Sequence, residues 1–426
     1  MTATAQAQSI GPANNQRPNP IVNPDGSVTI AIAPFNTEAS VVQRPRPEYD
    51  PLGIHLSDFL LLPSVSAGMA YNSNVYNTEN NAKSDVAFEL MPTLRLLSDF
   101  PRHALSLLIG AHSLFYNRLS SENTTDVTVS GQGRLDIRRE TNVALEAGYQ
   151  VLHEGRGAPD LPGNAAEPTE YSATNAKATL NQAFNRVQLS VGASIQRLDF
   201  RDTKLVPPGA AVLDNHDRDR NEATVFGQAG YELSPGYSAF LRGSYDVRNY
   251  DLTVDAAGFR RDSHGSETDA GMQFEVSRLM VGQVYAGYLK QSFDDVRFSN
   301  VSGAAFGAQL EWYPTLMTTV RFNARRSVEE TTLLDASSYT ATRFAVGLDH
   351  ELLRNFILSA DLLYDVDEYN GSPRTDKFWG LSFGAMYLLN RNLQANFGYV
   401  FSRRDSNLTG FDYTNNLFRI GIVGKL

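Results

Sequence analysis

The chain has 426 residues, no cysteine and a formal charge of −10. The missing thiols exclude a disulfide scaffold and a cysteine-based zinc site, and the negative balance argues against nucleic acid as a partner. Mean hydropathy is slightly negative and no stretch approaches the ~18 consecutive apolar residues of a membrane helix. Any membrane reading must therefore come from strands, in which only every second residue meets lipid.

Residues Thr2-Ala3-Thr4-Ala5-Gln6-Ala7-Gln8 are small and uncharged, like the region around a signal-peptide cleavage site, so residues 1–8 are read as a signal-peptide remnant or a start segment. Residues 9–62 form a second region, rich in Pro, Asn and Gln over its first forty residues or so. The turn-like Asn23-Pro24-Asp25-Gly26 and a short alternation through Val28, Ile30 and Ile32 interrupt it. This composition predicts a mostly disordered periplasmic arm, suited to adding a strand to a periplasmic export partner or to entering a pore.

From Pro63 to Leu426 the pattern changes to segments of about fifteen residues that alternate apolar and polar. Turn chemistry divides them into strands at 63–76, 84–98, 102–118, 123–138, 141–154, 170–184, 186–200, 220–234, 236–250, 265–279, 281–295, 300–314, 316–329, 338–352, 354–368, 375–389, 392–405 and 412–426. Short connections (Asn185, Ser234-Pro235-Gly236, Thr315, Arg354) alternate with long charged ones such as Gly155–Thr169 and Arg201–Asp219. Strands this long, with no helix between them, predict an all-β fold: a transmembrane antiparallel up-and-down barrel of about eighteen strands, with sixteen as the alternative, spanning 63–426. The expected place is the bacterial outer membrane, with both termini periplasmic and lipid and lipopolysaccharide as surroundings.

In the last strand Phe418, Ile420, Ile422 and Leu426 share one face, and Arg419, Gly421 and Lys425 the other. Strand 281–295 is ambiguous, because Val284, Ala286 and Tyr288 compete with Tyr285, Gly287 and Leu289. Interfacial aromatics are expected at Tyr237, Trp312, Phe356 and Tyr387 by the short turns, and at Tyr116, Tyr250, Tyr369 and Phe401 by the long loops. The inward parity collects the charge: Arg134, Asp136, Glu146, Arg242, Asp246, Arg248, Arg321, Arg325, Arg343, Asp361 and Asp365, with Glu275, Glu311 and Asp349 beside them. On a lipid face each charge costs ~2–4 kcal/mol near the midplane, so these are expected to line the pore. Both signs are interleaved, and such a wall suits hydroxyl-rich solutes more than one ion class. The loop 154–169, dense in Gly and Pro, is expected to narrow the barrel through Arg156, Asp160, Asn164 and Glu167 facing Arg242, Asp246, Arg321 and Arg325.

No nucleophile elbow, phosphate loop, dinucleotide fingerprint or paired-histidine metal motif occurs, so no enzyme, cofactor or metal is expected. Asp365-x-Asp367 before Asn370-Gly371 has the wrong spacing for a calcium loop and reads as a solvated strand end. The run Asp214–Arg220 (D-N-H-D-R-D-R) reads as a surface loop with self-compensating charge.

The C-terminal residues Gly398-Tyr399-Val400-Phe401-Ser402-Arg403-Arg404-Asp405-Ser406-Asn407 and Phe411-Asp412-Tyr413 resemble the closing hairpin of the outer-membrane family called putative beta-barrel porin 2. Glu48-Tyr49-Asp50-Pro51-Leu52-Gly53-Ile54 and Pro159–Tyr171 carry the same resemblance, which reaches from about residue 45 to the end. The chain ends in Leu426, where barrel-insertion signals usually end in an aromatic residue. The resemblance implies a porin associated with exopolysaccharide gene clusters, exporting polymer with a periplasmic or inner-membrane machinery. The residues alone leave two further readings open: a general diffusion porin for small hydrophilic solutes such as sugars, and a structural or surface-interaction barrel with a blocked lumen.

Overall fold

The structure is a computed structural model that describes residues 40–426 apart from 159, 207–211, 277–278 and 334–335. The predicted signal remnant and the alternation at Val28–Ile32 lie outside the described residues. The strands are β1 (Ile54–Leu56), β2 (Phe59–Asn72), β3 (Asp85–Ser98), β4 (Ala104–Tyr116), β5 (Thr124–Arg138), β6 (Thr141–His153), β7 (Glu170–Phe184), β8 (Val187–Phe200), β9 (Arg220–Ser234) and β10 (Tyr237–Tyr250). They continue as β11 (Ser263–Val276), β12 (Met280–Phe293), β13 (Val301–Thr315), β14 (Thr318–Glu330), β15 (Ser338–Leu353), β16 (Phe356–Asn370), β17 (Thr375–Leu388), β18 (Leu393–Ser406) and β19 (Tyr413–Lys425).

Each strand from β2 onward pairs antiparallel with its sequence neighbours, and β19 closes on β2 from Leu417↔Asn72 to Lys425↔Ser64. The result is a closed barrel of eighteen strands, as the alternating segments imply. The predicted segments match these strands to within a few residues. The first begins four residues earlier than expected, at Phe59. Beyond the end of β19, Phe59–Leu61 of β2 would leave an open edge, and β1 pairs with it there.

One end of the barrel carries the short connections and the other the long ones. Two of the tight turns are set by residues that tolerate a left-handed backbone, Asn185 (φ 50°) and Gly236 (φ 81°). The ladder between β13 and β14 is incomplete: it runs from Thr315↔Thr318 only to Gly307↔Arg325, so the loop-end thirds of the two strands are not paired with each other.

Outward residues form an apolar band, with Val191, Ile195 and Ile420 each more than half exposed. An apolar outer band of this kind is what a lipid-facing barrel wall presents. Along β12 the register decides the ambiguity: Val284 and Tyr288 are on the outer surface and Leu289 is buried within. Tyr237, Trp312 and Tyr387 stand on the outer surface by the short turns. At the loop end the expectation needs correction for Tyr250 and Tyr369, which are buried. Their parity is that of Arg242 and Asp365, so they point inward and pack the mouth. The outer aromatics there are instead Tyr149, Tyr245, Tyr288 and Trp379.

Candidate functional site: the lumen and its two mouths

The strands place the expected pore-lining charges on the parity opposite to the apolar band, where they meet one another. Arg242 (β10) donates to Asp269 (β11) at 2.7 Å and lies 4.3 Å from the Tyr285 ring (β12). Arg321 (β14) bridges Asp349 (β15) and Asp361 (β16), the latter at 3.3 Å. Arg343 (β15) pairs with Asp365 (β16), and Arg325 is the register partner of Arg343. Asp246 and Arg248 pair on β10 at 3.2 Å, and Arg248 also reaches Glu330 and the Val328 carbonyl of β14. Glu146 (β6) faces Lys177 (β7) in register. Arg134 and Asp136 pair with each other near the short-turn end of β5. The eleven residues are thus gathered on several levels, some in contact across strands and some along one strand, and do not form one ring.

Between the charged pairs runs a row of amides. Gln273, Gln283, Gln309 and Asn323 are successive register partners across β11–β14. Gln283 donates to Gln309 at 3.1 Å and Gln273 to Gln283 at 3.4 Å. A side-chain amide carries two donor hydrogens and an acceptor oxygen, the chemistry that hydroxyl groups match. On the opposite side Glu89 (β3) accepts from His112 (β4) at 2.7 Å and lies 3.5 Å from Arg419 (β19).

The loop-end mouth is covered by connections that fold over it. Arg218, 2 % exposed, donates to Glu154, lies 3.9 Å from Asp160 and 4.0 Å from the Phe200 ring. Asp160 in turn accepts from Thr331 Oγ1 at 2.7 Å and Thr332 N at 3.0 Å. Arg261, equally buried, pairs with Asp255 and caps the carbonyls of Thr331, Thr332, Leu333 and Ala336. Four loops are therefore tied together by two arginines and one aspartate. A planar guanidinium does this well, because five donors leave in fixed directions.

The predicted constriction residues sit in this cover. Arg156 donates to Glu122 at 2.7 Å and to the Ala165 carbonyl at 2.8 Å. The Asn164 carbonyl accepts from Val206 N, and Glu167 lies 3.3 Å from Lys204. Arg404 of β18 donates to the Gly157 carbonyl at 2.7 Å, so the loop spans from β6–β7 to the far wall. The partners of these four residues are at the mouth, and the mid-strand Arg242, Asp246, Arg321 and Arg325 have partners of their own.

Two local readings change. Within Asp214–Arg220 the arginines are not solvated: Arg218 and Arg220 are 2 % and 3 % exposed. Their charges are met from other loops and strands, which local sequence cannot show. His216, in the same run, does stay exposed, and its hydrogen bond to Asp219 raises it above the ordinary imidazole range. Asp365 is likewise buried on the lumen wall and is not a solvated strand end.

The short-turn mouth carries a strap of chain. Residues 40–50 lie along the rim of that mouth on the β14–β18 side, with Val41 fully buried and Val41 N donating to Thr319 Oγ1 of β14 at 2.9 Å. Arg46 donates to Glu351 (β15) at 2.7 Å, to Val41 O at 2.8 Å and to Arg354 O at 3.1 Å. Burial lowers the Arg46 pKa from the usual guanidinium value, and the Glu351 charge opposes that. Arg354 and Arg391, in two of the short turns, donate to the carbonyls of Pro45 and Pro47. Nothing in the local sequence marks Glu351 as the partner of Arg46, because some three hundred residues separate them.

A closed barrel with an apolar outside and a paired polar inside is the architecture of an outer-membrane, porin-type protein. The chain belongs to the family Putative beta-barrel porin 2, whose model matches residues 46–426. Solved structures with a similar fold include OccK2 (OpdF) of Pseudomonas aeruginosa in complex with glucuronate, at 11 % identity over 87 % of this chain and 99 % of that one, TM-score 0.46. Others are a BenF-like porin from Pseudomonas fluorescens Pf-5 (11 % identity, 86 % and 99 % covered, TM-score 0.47) and the siderophore receptor PirA from Acinetobacter baumannii (7 %, 85 % and 80 %, 0.45). At that distance none of them says what this barrel carries. No curated protein matches the chain.

Proposed function

We propose that this barrel is a gated outer-membrane conduit for a hydroxyl-rich polymer, an exopolysaccharide leaving the cell with a periplasmic or inner-membrane assembly. In this reading the short-turn end and both termini face the periplasm, the pore-lining charges hold the wall in shape, and the amide row offers hydrogen bonds to a neutral chain. The loop 154–169, through Arg156, Asp160, Asn164 and Glu167, is the outer gate. The observation that carries the proposal is the cover of packed loops at one mouth, with the strap of residues 40–50 docked on the rim of the other. A general diffusion pore works by staying open, whereas a conduit for one polymer has reason to be shut until it is engaged.

The amide row and the balanced ion pairs equally suit small sugars, which keeps small-solute diffusion as the second reading. Deleting the gene separates the two. Loss of secreted polymer with growth on small sugars intact supports export; intact secretion with impaired uptake overturns it. Deletion of Gly157–Ala166 is expected to raise single-channel conductance. An unchanged, near-zero current in that variant points to a permanently blocked structural barrel instead.

A further inference from the structure

The middle of the barrel wall is more buried than an open channel would leave it. Ser66 of β2, Lys177 of β7, Asp269 of β11 and Val400 of β18 stand midway along their strands with inward parity. They are 7 %, 6 %, 1 % and 8 % exposed, and they come from separate sectors of the wall. A barrel of about sixteen to eighteen strands is wide enough to enclose an aqueous channel, and short side chains such as Ser66 and Val400 should then meet water. The loops and the strap described above are held at the two mouths, away from this level.

The chain itself approaches this level from the short-turn end. Thr319 shares the parity of Arg321, and Glu351 that of Asp349, so both face the lumen. Val41 N donates to Thr319 Oγ1, and Val41 and Ser40 are both buried there. The described chain therefore starts on the inner side of the rim, with residues 1–39 preceding that point. An extended chain advances ~3.3 Å per residue, so roughly fourteen residues match one barrel strand and residues 9–39 are long enough to run the lumen twice. Their chemistry suits the place. The wall charges named above largely meet one another, so an occupant should bring few charges and many hydrogen-bonding groups. Residues 9–39 carry only Arg17, Asp25 and Glu38 as charges, with amides at Asn14, Asn15, Gln16, Asn19, Asn23 and Asn36. Val28, Ile30 and Ile32 alternate with Thr29 and Ala31, which gives one apolar face for wall residues such as Val400.

We propose that residues 9–39 form a plug inside the barrel: the chain turns inward past Thr319 and packs against the middle of the wall, anchored by the strap of residues 40–50. The plug closes the pore between the outer cover and the inner rim, whichever solute the barrel carries. The pin between Arg46 and Glu351 then sets how readily the plug withdraws. The competing placement, an arm extended from the barrel to a periplasmic partner, leaves the segment open to solvent in the isolated protein. The test below does not read secretion, so failure of the plug and failure of the export reading are told apart.

The chain has no native cysteine, so single thiols report on the plug. Ile30→Cys is introduced in the full-length chain, and its reaction with a charged methanethiosulfonate is timed in detergent and in urea. Slowing by about tenfold or more in the folded barrel is expected, as for a group reached only by local opening. Reaction at the unfolded rate overturns the plug. Val400→Cys gives the reciprocal reading: it should react slowly in the full chain and about tenfold faster once residues 9–39 are deleted. The exposed loop variant Leu408→Cys should be unaffected by the deletion. Equal Val400→Cys rates with and without the segment overturn the proposal, because the wall is then not covered by it. Should the shortened chain not refold, Ile30→Cys carrying a benzophenone, attached in urea before refolding of the full chain, is irradiated instead. Adducts on lumen-facing residues support the plug, and adducts confined to the outer surface or to detergent overturn it.

Discussion

The two mouths of the barrel are finished by different means. At the loop end four connections converge, and the fully buried Arg218 and Arg261 tie them together with Glu154, Asp160, Asp255 and backbone carbonyls. At the short-turn end a single stretch of chain, residues 40–50, is pinned by one buried arginine, with Arg44 and Arg354 as further cations near the same Glu351. The outer cover is therefore a packed element whose removal exposes buried charge. The strap, in contrast, is a tether that can be lifted at lower cost.

The largest expected effect comes from Arg218→Ala. It leaves Glu154, 5 % exposed, without its partner, and breaking a buried pair from one side costs about 3–5 kcal/mol. The barrel strands should remain while the cover loosens, so the expected readouts are loop proteolysis and higher conductance with β-sheet circular dichroism unchanged. Equal protease resistance in the variant would show that the loops are held by something else.

Arg46→Ala should be milder, about 1–3 kcal/mol, because Glu351 keeps Arg44 and Arg354 within reach. The absence of native cysteine makes the strap directly testable. A Val41→Cys/Thr319→Cys pair should cross-link on oxidation, and Arg46→Ala should lower the yield. Cross-linking at full yield in the Arg46 variant would mean that the strap is held by its other contacts and not by this pin.

The smallest effect concerns His216 in the outer cover. Asp219 raises its folded pKa, so its contribution to stability is full below the unfolded value of ~6.5 and is lost as pH rises through the folded one. The group is well exposed, and the contribution is accordingly small. Protease sensitivity of the loop that contains it should increase slightly on going from pH 5 to pH 8, and His216→Gln should flatten that profile. An unchanged slope would remove His216 from the account.

The strands were legible because a membrane barrel repeats one rule. Phe418, Ile420 and Ile422 against Arg419 and Gly421 already state which face meets lipid, and a one-residue slip would put charge into the bilayer. The same parity carried the inward charges Arg242, Arg321 and Arg343. It failed at strand ends, where Tyr250 and Tyr369 look like interfacial aromatics but turn inward to pack the mouth. It also failed in loops, where periodicity has nothing to act on. Arg218 reads as one of several compensating charges in D-N-H-D-R-D-R, yet its partner Glu154 is far away in sequence.

Alternation alone was enough to read a closed antiparallel barrel, its approximate strand number and the facing of most mid-strand residues, because a bilayer outside and water inside penalise a misplaced residue locally. Which charges meet depends on the closed barrel: Arg46 with Glu351, Arg218 with Glu154 and Arg321 with Asp349. Ion pairing depends on distance in space, and closing the barrel brings together residues that no local pattern relates. The same closure turned a polar N-terminal stretch into a strap and a Gly- and Pro-rich loop into a cover, since both find their hydrogen-bond partners only on a finished wall.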